Sequence, residues 1–566
     1  MKFNLKSNLL LTVSLALPTL LGTATMMDAQ SISFETTRSA GKQVELAIQA
    51  NGPVTAEGIK GKIVPDGKER PYILTAQNVT IEGDLTSFKA ESNQITVLTL
   101  TDCNNLDEIK IFGNLLTTLD VTKCPALKNL DCSKNQLTEL KMTNSKNLEK
   151  VDASLNHLVK LDLTGCTNLL RVDVGSNELL SLDVSPCTKL QELVCYKNQI
   201  SSLSLSECKD LRKLLCQSNN ITEFDPSQCP GLTYLDIGFN QLKKLDMTPC
   251  DHINWFYCGG NLLEELKISN RKELEWMWCF NNKLTSLDLS GCKRLKWAFC
   301  FYNKLTSLNL EGCEDLDFLC CESNRLSCDE MDKVIAALPK LPLARDAKLE
   351  VVTEEERRAA PGGGNIMTQE AVELAKSKNW MVCFVAEAGS HQFALYNGRE
   401  GSCHDGKLSF KVTLSPTTNG TVKLVGVEDF ENVPYGQVIK VEVTPDKNCE
   451  LVSLKVNNKD ISKSKSFVVN RNMVVTATFR NPANEVVTEN VALYPNPARE
   501  SVVLNGAAAL SEVRLYTVNG ELLMVEKADE AGQATLNVAE VPEGKYLVVY
   551  QDAADQNHTE QLMVAR

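Results

Sequence analysis

A chain of 566 residues exceeds what one hydrophobic core usually supports, so several domains are expected. Its formal net charge of -13 excludes a nucleic-acid partner, because displacing phosphate counterions requires a basic face.

Lys2 and Lys6 precede an apolar stretch from Leu9 to Leu21, broken by Ser14 and Pro18 and followed by small and polar residues up to Ala29. Residues 1–29 read as a signal peptide, since the run is too short to span a bilayer. No later stretch approaches about 18 uninterrupted apolar residues, so no transmembrane span is expected in the mature chain. Residues 30–85 alternate in strand fashion, as at Val44, Leu46 and Ile48, and are expected to form an N-terminal β cap.

From residue 86 to 326 the sequence repeats. Asparagine recurs every 21 residues from Asn93, Asn114 and Asn135 through to Asn324, twelve times without an insertion. Leu or Ile stands two positions after each. One full unit runs Leu127, Leu130, Cys132, Asn135, Leu137, Leu140, Met142, and the second half is clearest at Leu284, Leu287, Asp288, Leu289, Ser290 and Cys292. A single coil cannot bury its own apolar face and gains a core only by stacking, so each column becomes a ladder. The Asn side chain, inside a turn, is suited to backbone groups that the bend leaves unpaired. A Ser or Thr column, as at Thr122, Thr164 and Ser290, is expected to brace the other bend. The pattern L-x-x-L-x-C-x-x-N-x-L is the leucine-rich-repeat signature. With its near-duplicated second half, the unit resembles the short repeats of internalin-like surface proteins of Bacteroidetes. That resemblance implies a mainly β leucine-rich-repeat solenoid of 21-residue coils.

An exported chain with 21 cysteines would ordinarily carry a disulfide framework. Here the cysteines fill repeat columns, where they exchange with Ile111, Ala153, Val174 and Ile237 as small buried hydrophobes. Stacking holds equivalent Cβ atoms nearly 5 Å apart, against roughly 3.5–4.5 Å in a disulfide, so mostly free, buried thiols are expected.

Residues 327–400 read as an α/β C-terminal cap and linker. Ser327 with Glu330 forms a capping box opening a helix through Leu338, and Pro361 with three glycines marks a loop. A second helix near Thr368 to Ser377 precedes a strand from Met381 to Val385. Two small β domains follow. Residues 408–480, with Gly420-Thr421-Val422 and Val433-Pro434-Tyr435-Gly436, resemble the β repeat of internalin-type surface proteins, a stalk or spacer. Residues 487–566 contain Leu493-Tyr494-Pro495-Asn496-Pro497 and Gly544-Lys545-Tyr546-Leu547-Val548, and are similar to the C-terminal sorting domain of type IX secretion in Porphyromonas and relatives. The resemblance implies export across the outer membrane by the type IX machinery, removal of the tail by a sortase-like protease, and attachment to surface lipopolysaccharide.

Nothing in the sequence points to catalysis, and no catalytic residue, metal site or cofactor is expected. Of five histidines, His157, His252, His391, His404 and His558, only His404 beside Cys403 invites a nucleophile reading, and neighbours in a loop lack a positioned base with an orienting third group. The chain has no closely spaced Cys/His zinc signature, phosphate loop or calcium loop. The repeated Asp120, Asp162, Asp183, Asp225, Asp246 and Asp288 read as a turn-bracing ladder.

Function is therefore expected on outward positions of the Asn-bearing half-coil, those six, four, two and one before each Asn, while five and three before it enter the core. Early coils place polar residues there, such as Asn129, Asp131, Ser133 and Lys134. Late coils place Tyr234 and Phe239; Trp255 and Tyr257; Trp276, Trp278 and Phe280; Trp297, Phe299, Phe301 and Tyr302; and Phe318. Such an apolar patch is expected to be a ligand-binding surface, unless the rings merely stack as ladders or a terminal module folds over them. A protein ligand would use the rings as anchors, with a rim from Lys213, Gln217 and Glu322. A glycan would stack sugar faces on them. The internalin resemblance favours a protein on a host or neighbouring bacterial cell. The expected function is that of a secreted, surface-attached binding protein or adhesin. The alternatives are a glycan-binding protein and a structural or scaffolding component of the envelope.

Overall fold

A computed structural model describes residues 30–359, 364–386, 393–482, 492–552 and 556–565. The expected signal peptide, Pro361 and His391 lie outside the described residues. The chain divides into two units, residues 1–409 and 410–566.

The first unit is a mainly β solenoid of about 11 coils of roughly 21 residues, as the repeat implies. Each coil gives a short strand to one parallel sheet, from Leu85–Lys89 and Glu108–Lys110 to Phe318–Cys320. Pairing steps by 21 residues, as in Asn129↔Lys150 and Tyr234↔Trp255. At the opposite bend shorter parallel pairs form, such as Thr118–Asp120 with Glu139–Lys141. The middle strand residue points inward in every coil: Leu130, Leu214, Leu235, Phe256, Met277 and Leu319 are each at most 3% exposed. A parallel sheet buried along one column reads as a continuous apolar ladder for this reason.

The Asn column holds successive coils together. Asn219, buried, accepts from the backbone N–H of Ile200 at 2.9 Å and donates through Nδ2 to the carbonyls of Cys195 and Cys216 at 2.9 and 3.1 Å. The same set recurs at Asn135, Asn177 and Asn282. The residue before the Asn adopts a left-handed conformation, as at Lys134, Ser218, Phe239 and Tyr302, which turns the chain out of the strand. Asn219→Ala orphans one buried N–H and removes a donor from two carbonyls. At about 1–3 kcal/mol per stranded buried group, urea denaturation should show a loss of roughly 3 kcal/mol. At the other bend, Asp120 Oδ1 accepts from the Thr122 amide and hydroxyl at 3.0 and 2.6 Å, and Asp246 does the same for Thr248.

Nineteen of the 21 cysteines are free and all of these but Cys449 are buried. Burial pushes most ladder thiols up, Cys187 to about 12 and Cys208 to about 11, which disfavours their thiolates at neutral pH, whereas the bond from Cys124 holds Cys103 below its ordinary value. A thiol reagent should therefore titrate few groups in the native protein and the full ladder only after denaturation; rapid labelling of ladder cysteines in the folded chain would contradict this. The exception is Cys328, bonded to Cys403. Cys403 and His404 do not lie in a loop, as the sequence suggested. They form the strand Ser402–His404, paired with residues 407–409, and the disulfide consumes the thiol considered as a nucleophile.

Both ends of the solenoid are sealed. At the N-terminus, Ser31–Thr36 pairs antiparallel with Asn78–Glu82 and Ile95–Thr101, while Gln43–Ala50 joins Leu85–Lys89 of the solenoid sheet. At the C-terminus come α1 (Cys328–Ala337), the strand Ala347–Thr353, α2 (Glu354–Arg358), α3 (Gln369–Ser377) and the strand Trp380–Val385. The two strands continue the parallel sheet beyond Phe318–Cys320. Ser327 caps α1 by accepting from the Glu330 amide, but Glu330 does not return the bond; its carboxylate takes the Leu308 N–H at 3.1 Å. The reciprocal box belongs instead to Thr353 and Glu356 on α2, an element the sequence did not reveal.

In the second unit, Val412–Leu414, Met473–Arg480 and Glu450–Val456 form one sheet, and Gly420–Val425, Val438–Pro445 and Ser466–Val468 another. The tail has two further sheets, Ala492–Tyr494, Ser501–Asn505 and Gln533–Asn537, and Leu522–Lys527, Glu512–Thr517, Gly544–Gln551 and Asn557–Val564. Val502, Leu504, Val513, Leu515, Leu536, Val548, Leu562 and Val564 fill its core.

Candidate functional site: an aromatic strand face

Alternation within three-residue strands decides what the sheet presents. In Trp255–Tyr257, Trp276–Trp278 and Trp297–Phe299 the central Phe256, Met277 and Ala298 are buried, and the flanking rings stand on the outer side. The 21-residue register then stacks rings from consecutive coils. Tyr234 lies parallel to Trp255 with centroids 5.3 Å apart, Trp278 to Phe299 at 5.5 Å, and Phe280 to Phe301 at 4.6 Å. Trp255 reaches Trp276 and Trp278, Tyr257 reaches Phe239, Trp278 and Phe280, Phe318 meets Trp297 and Phe299, and Tyr302 meets Phe301. All twelve residues proposed from the sequence thus join one continuous ring network. Phe239, Trp297 and Tyr302 are 50%, 44% and 39% exposed, and the other nine are half-buried against one another.

Charges frame the rings. Lys213 Nζ sits 5.6 Å from the Tyr234 centroid and pairs with Glu192 at 3.0 Å. Lys296 lies 5.3 Å from Trp276 and binds Glu275 at 2.7 Å; that contact, with Arg294, holds the Glu275 carboxyl below its usual range. Glu322, expected on the rim, is instead 5% exposed, because the cap strand Ala347–Thr353 and α2 follow it where a further coil would have been. Its carboxylate meets the Cys320 thiol at 2.9 Å, and Glu350 meets the same sulfur at 3.0 Å. Sequence reasoning passed over Asp236, Cys320 and Glu350, although repeat arithmetic places the first two in the column of Tyr257, Trp278 and Phe299.

Burial raises Asp236 to about 6 and Glu322 to about 7, so the folded protein favours their neutral forms. The contribution of Asp236 to stability is complete below its ordinary value of 3.8 and is lost as pH rises through about 6. For Glu322 the corresponding window runs from 4.5 to about 7. Thermal melts at pH 5 and pH 8 should show a decline that Asp236→Asn and Glu322→Gln each reduce; an unchanged decline in both variants would contradict the assignment.

Residues 492–565 match the secretion system C-terminal sorting domain, residues 410–483 the divergent InlB B-repeat domain, and residues 209–249 a model of two leucine-rich repeats. Among solved structures, the functional domain of InlJ from Listeria monocytogenes, described as including a cysteine ladder, is 20% identical. That match covers 72% of this chain and 93% of that one, with a TM-score of 0.40. YopM from Yersinia pestis is 23% identical, covering 39% and 73%, with a TM-score of 0.30. No curated protein matches the sequence.

Proposed function

We propose that this chain, an internalin-like leucine-rich-repeat protein sent by type IX secretion to the cell surface, binds a protein ligand on the aromatic face of its solenoid. The observation that carries the reading is the ring network of twelve residues on the outward side of one sheet, beginning where the polar early coils end. Trp and Tyr are favoured anchors at protein interfaces, where a rigid ring buries much area at little entropic cost. Internal stacking explains part of the ring burial but not why rings crowd the outward positions of late coils, where early ones carry mostly polar residues and, two before the Asn, the isolated rings of Phe112 and Tyr196. The ligand belongs to a host or neighbouring bacterial cell, and the chain acts as an adhesin without catalysis. Its tail is removed by a sortase-like protease during export. The sorting tail implies attachment of the mature chain to surface lipopolysaccharide, and no helix among the described residues is long and apolar enough to cross a membrane.

The test is capture of surface proteins from host and bacterial cells by the secreted chain and by its Trp278→Ala variant, with a glycan array in parallel. A protein retained by the first and lost by the second supports the reading. Binding confined to glycans, or equal capture by both, overturns it.

A further inference from the structure

The central column of the aromatic face ends in a carboxylate at both extremities. In register across six strands run Asp236, Tyr257, Trp278, Phe299, Cys320 and Glu350. The neighbouring column ends differently: Lys213, Tyr234, Trp255, Trp276, Trp297, Phe318 and Lys348. Its cations are already engaged, Lys213 by Glu192 and the Tyr234 ring, Lys348 by the ring of Phe393 at 4.2 Å.

The two acids are not. Asp236 accepts only the Gly238 N–H at 3.2 Å, and Glu350 receives only the Cys320 thiol at 3.0 Å. Neither has an ion pair among the described residues, although both are half-buried. A half-buried carboxylate is costly unless a cation arrives, whereas Lys213 and Lys296, each over a ring, have neutralising partners in Glu192 and Glu275. Lys213 over Tyr234 and Lys296 over Trp276 show that ring faces on this sheet take cations.

We propose that the protein ligand presents a cationic segment to this column, with arginine or lysine side chains meeting Asp236 and Glu350 and apolar side chains covering the rings between. The proposal rests on the reading of this face as the binding surface. A guanidinium suits it best, since it has donors only, stacks on aromatic planes and bonds a carboxylate with two N–H groups. Spacing sharpens the prediction. Six strands span five intervals of about 4.8 Å, or roughly 24 Å, and an extended chain advances about 3.4 Å per residue. Side chains that face the same way in an extended segment are an even number of residues apart, so the two cations are about six or eight residues apart in a segment that crosses the strands.

The probes are synthetic nine-residue peptides with Arg at positions 1 and 9, Leu at 3, 5 and 7 and Ser between, compared with Glu or Ser at positions 1 and 9 and with Arg at 1 and 5, titrated into the full secreted chain. The 1,9-Arg peptide should bind about tenfold more tightly than the Glu and Ser versions and several-fold more tightly than the 1,5-Arg version. Asp236→Asn and Glu350→Gln should each reduce that preference, and Trp278→Ala should weaken every peptide. Equal binding of Arg and Ser peptides, with Trp278→Ala weakening both, overturns the cationic partner and leaves the binding surface intact. A preference that survives both acid substitutions also overturns it. If Trp278→Ala alters no peptide, the binding surface itself falls.

Discussion

Removal of residues 492–566 is expected to abolish surface display and leave a folded protein inside the outer membrane. The tail encloses its own core, in which Val502, Leu504, Val513, Leu515, Val548 and Leu562 are fully buried, and none of these belongs to the continuous core of the solenoid. Deletion therefore removes a domain with its own core and leaves every residue of the solenoid core in place. Protease shaving and surface biotinylation of intact cells, with fractionation, should move essentially all of the signal from the surface to the periplasm. A single change supplies a stricter version. Leu562→Ala leaves a cavity in the tail worth about 2–5 kcal/mol, a large share of what a domain of this size has to spare, and should depress export while the solenoid melts normally. Undiminished display of the truncated chain would mean that another signal directs the protein.

The second large effect separates binding from folding on one backbone geometry. Trp276→Ala, Trp278→Ala and Trp297→Ala remove rings from the outer side of the sheet, and each should lower ligand affinity by about thirtyfold, the equivalent of about 2 kcal/mol per anchor. Stability changes too, but modestly. Trp278 touches three other rings, Trp297 two and Trp276 one, and such pairs are worth about 0.5–1.5 kcal/mol beyond their buried area. Leu284→Ala and Leu305→Ala, both fully buried, should cost about 2–5 kcal/mol of stability and leave the affinity of the folded fraction unchanged. Asp131→Ala and Asp152→Ala occupy equivalent outward sites in early coils and should leave binding alone, with a small stability loss from the amide and hydroxyl bonds to Ser133 and Ser154. If the three Trp variants unfold like the Leu variants while residual binding is unaffected, the rings are structural.

The solenoid was legible because its determinants repeat. One Asn every 21 residues, with Leu and Cys at constant offsets, states the coil length, the buried columns and the strand that carries the outward positions. Alternation then gave the ring cluster residue by residue. What failed to show lies outside the period. Cys328 and Cys403 are 75 residues apart and belong to no column, so no pattern announced their bond. Glu322 stands at an outward repeat position, yet the next strand is Ala347–Thr353 of the cap, and its neighbours bury the side chain. Phe239 and Tyr302 were read outward by alternation, although a left-handed backbone directs them, and a bulky ring in that conformation is unusual. The acid-ended column needed the register of the cap strand, which no repeat arithmetic supplies.

The Cys328–Cys403 bond also sets a load path. If the chain is tethered through its C-terminus and gripped on its solenoid, as proposed above, it is pulled between those two points. Tension arriving along the chain from residue 404 crosses the sulfur bridge to Cys328 and enters the last coil there, bypassing the intervening segment that contains α2, α3 and both cap strands. Those elements sit in a covalently closed, slack loop. The end seal is therefore not peeled from the sheet by that tension, and within the solenoid unit the pull passes first to the stack of coils, where strand and asparagine bonds share it in parallel.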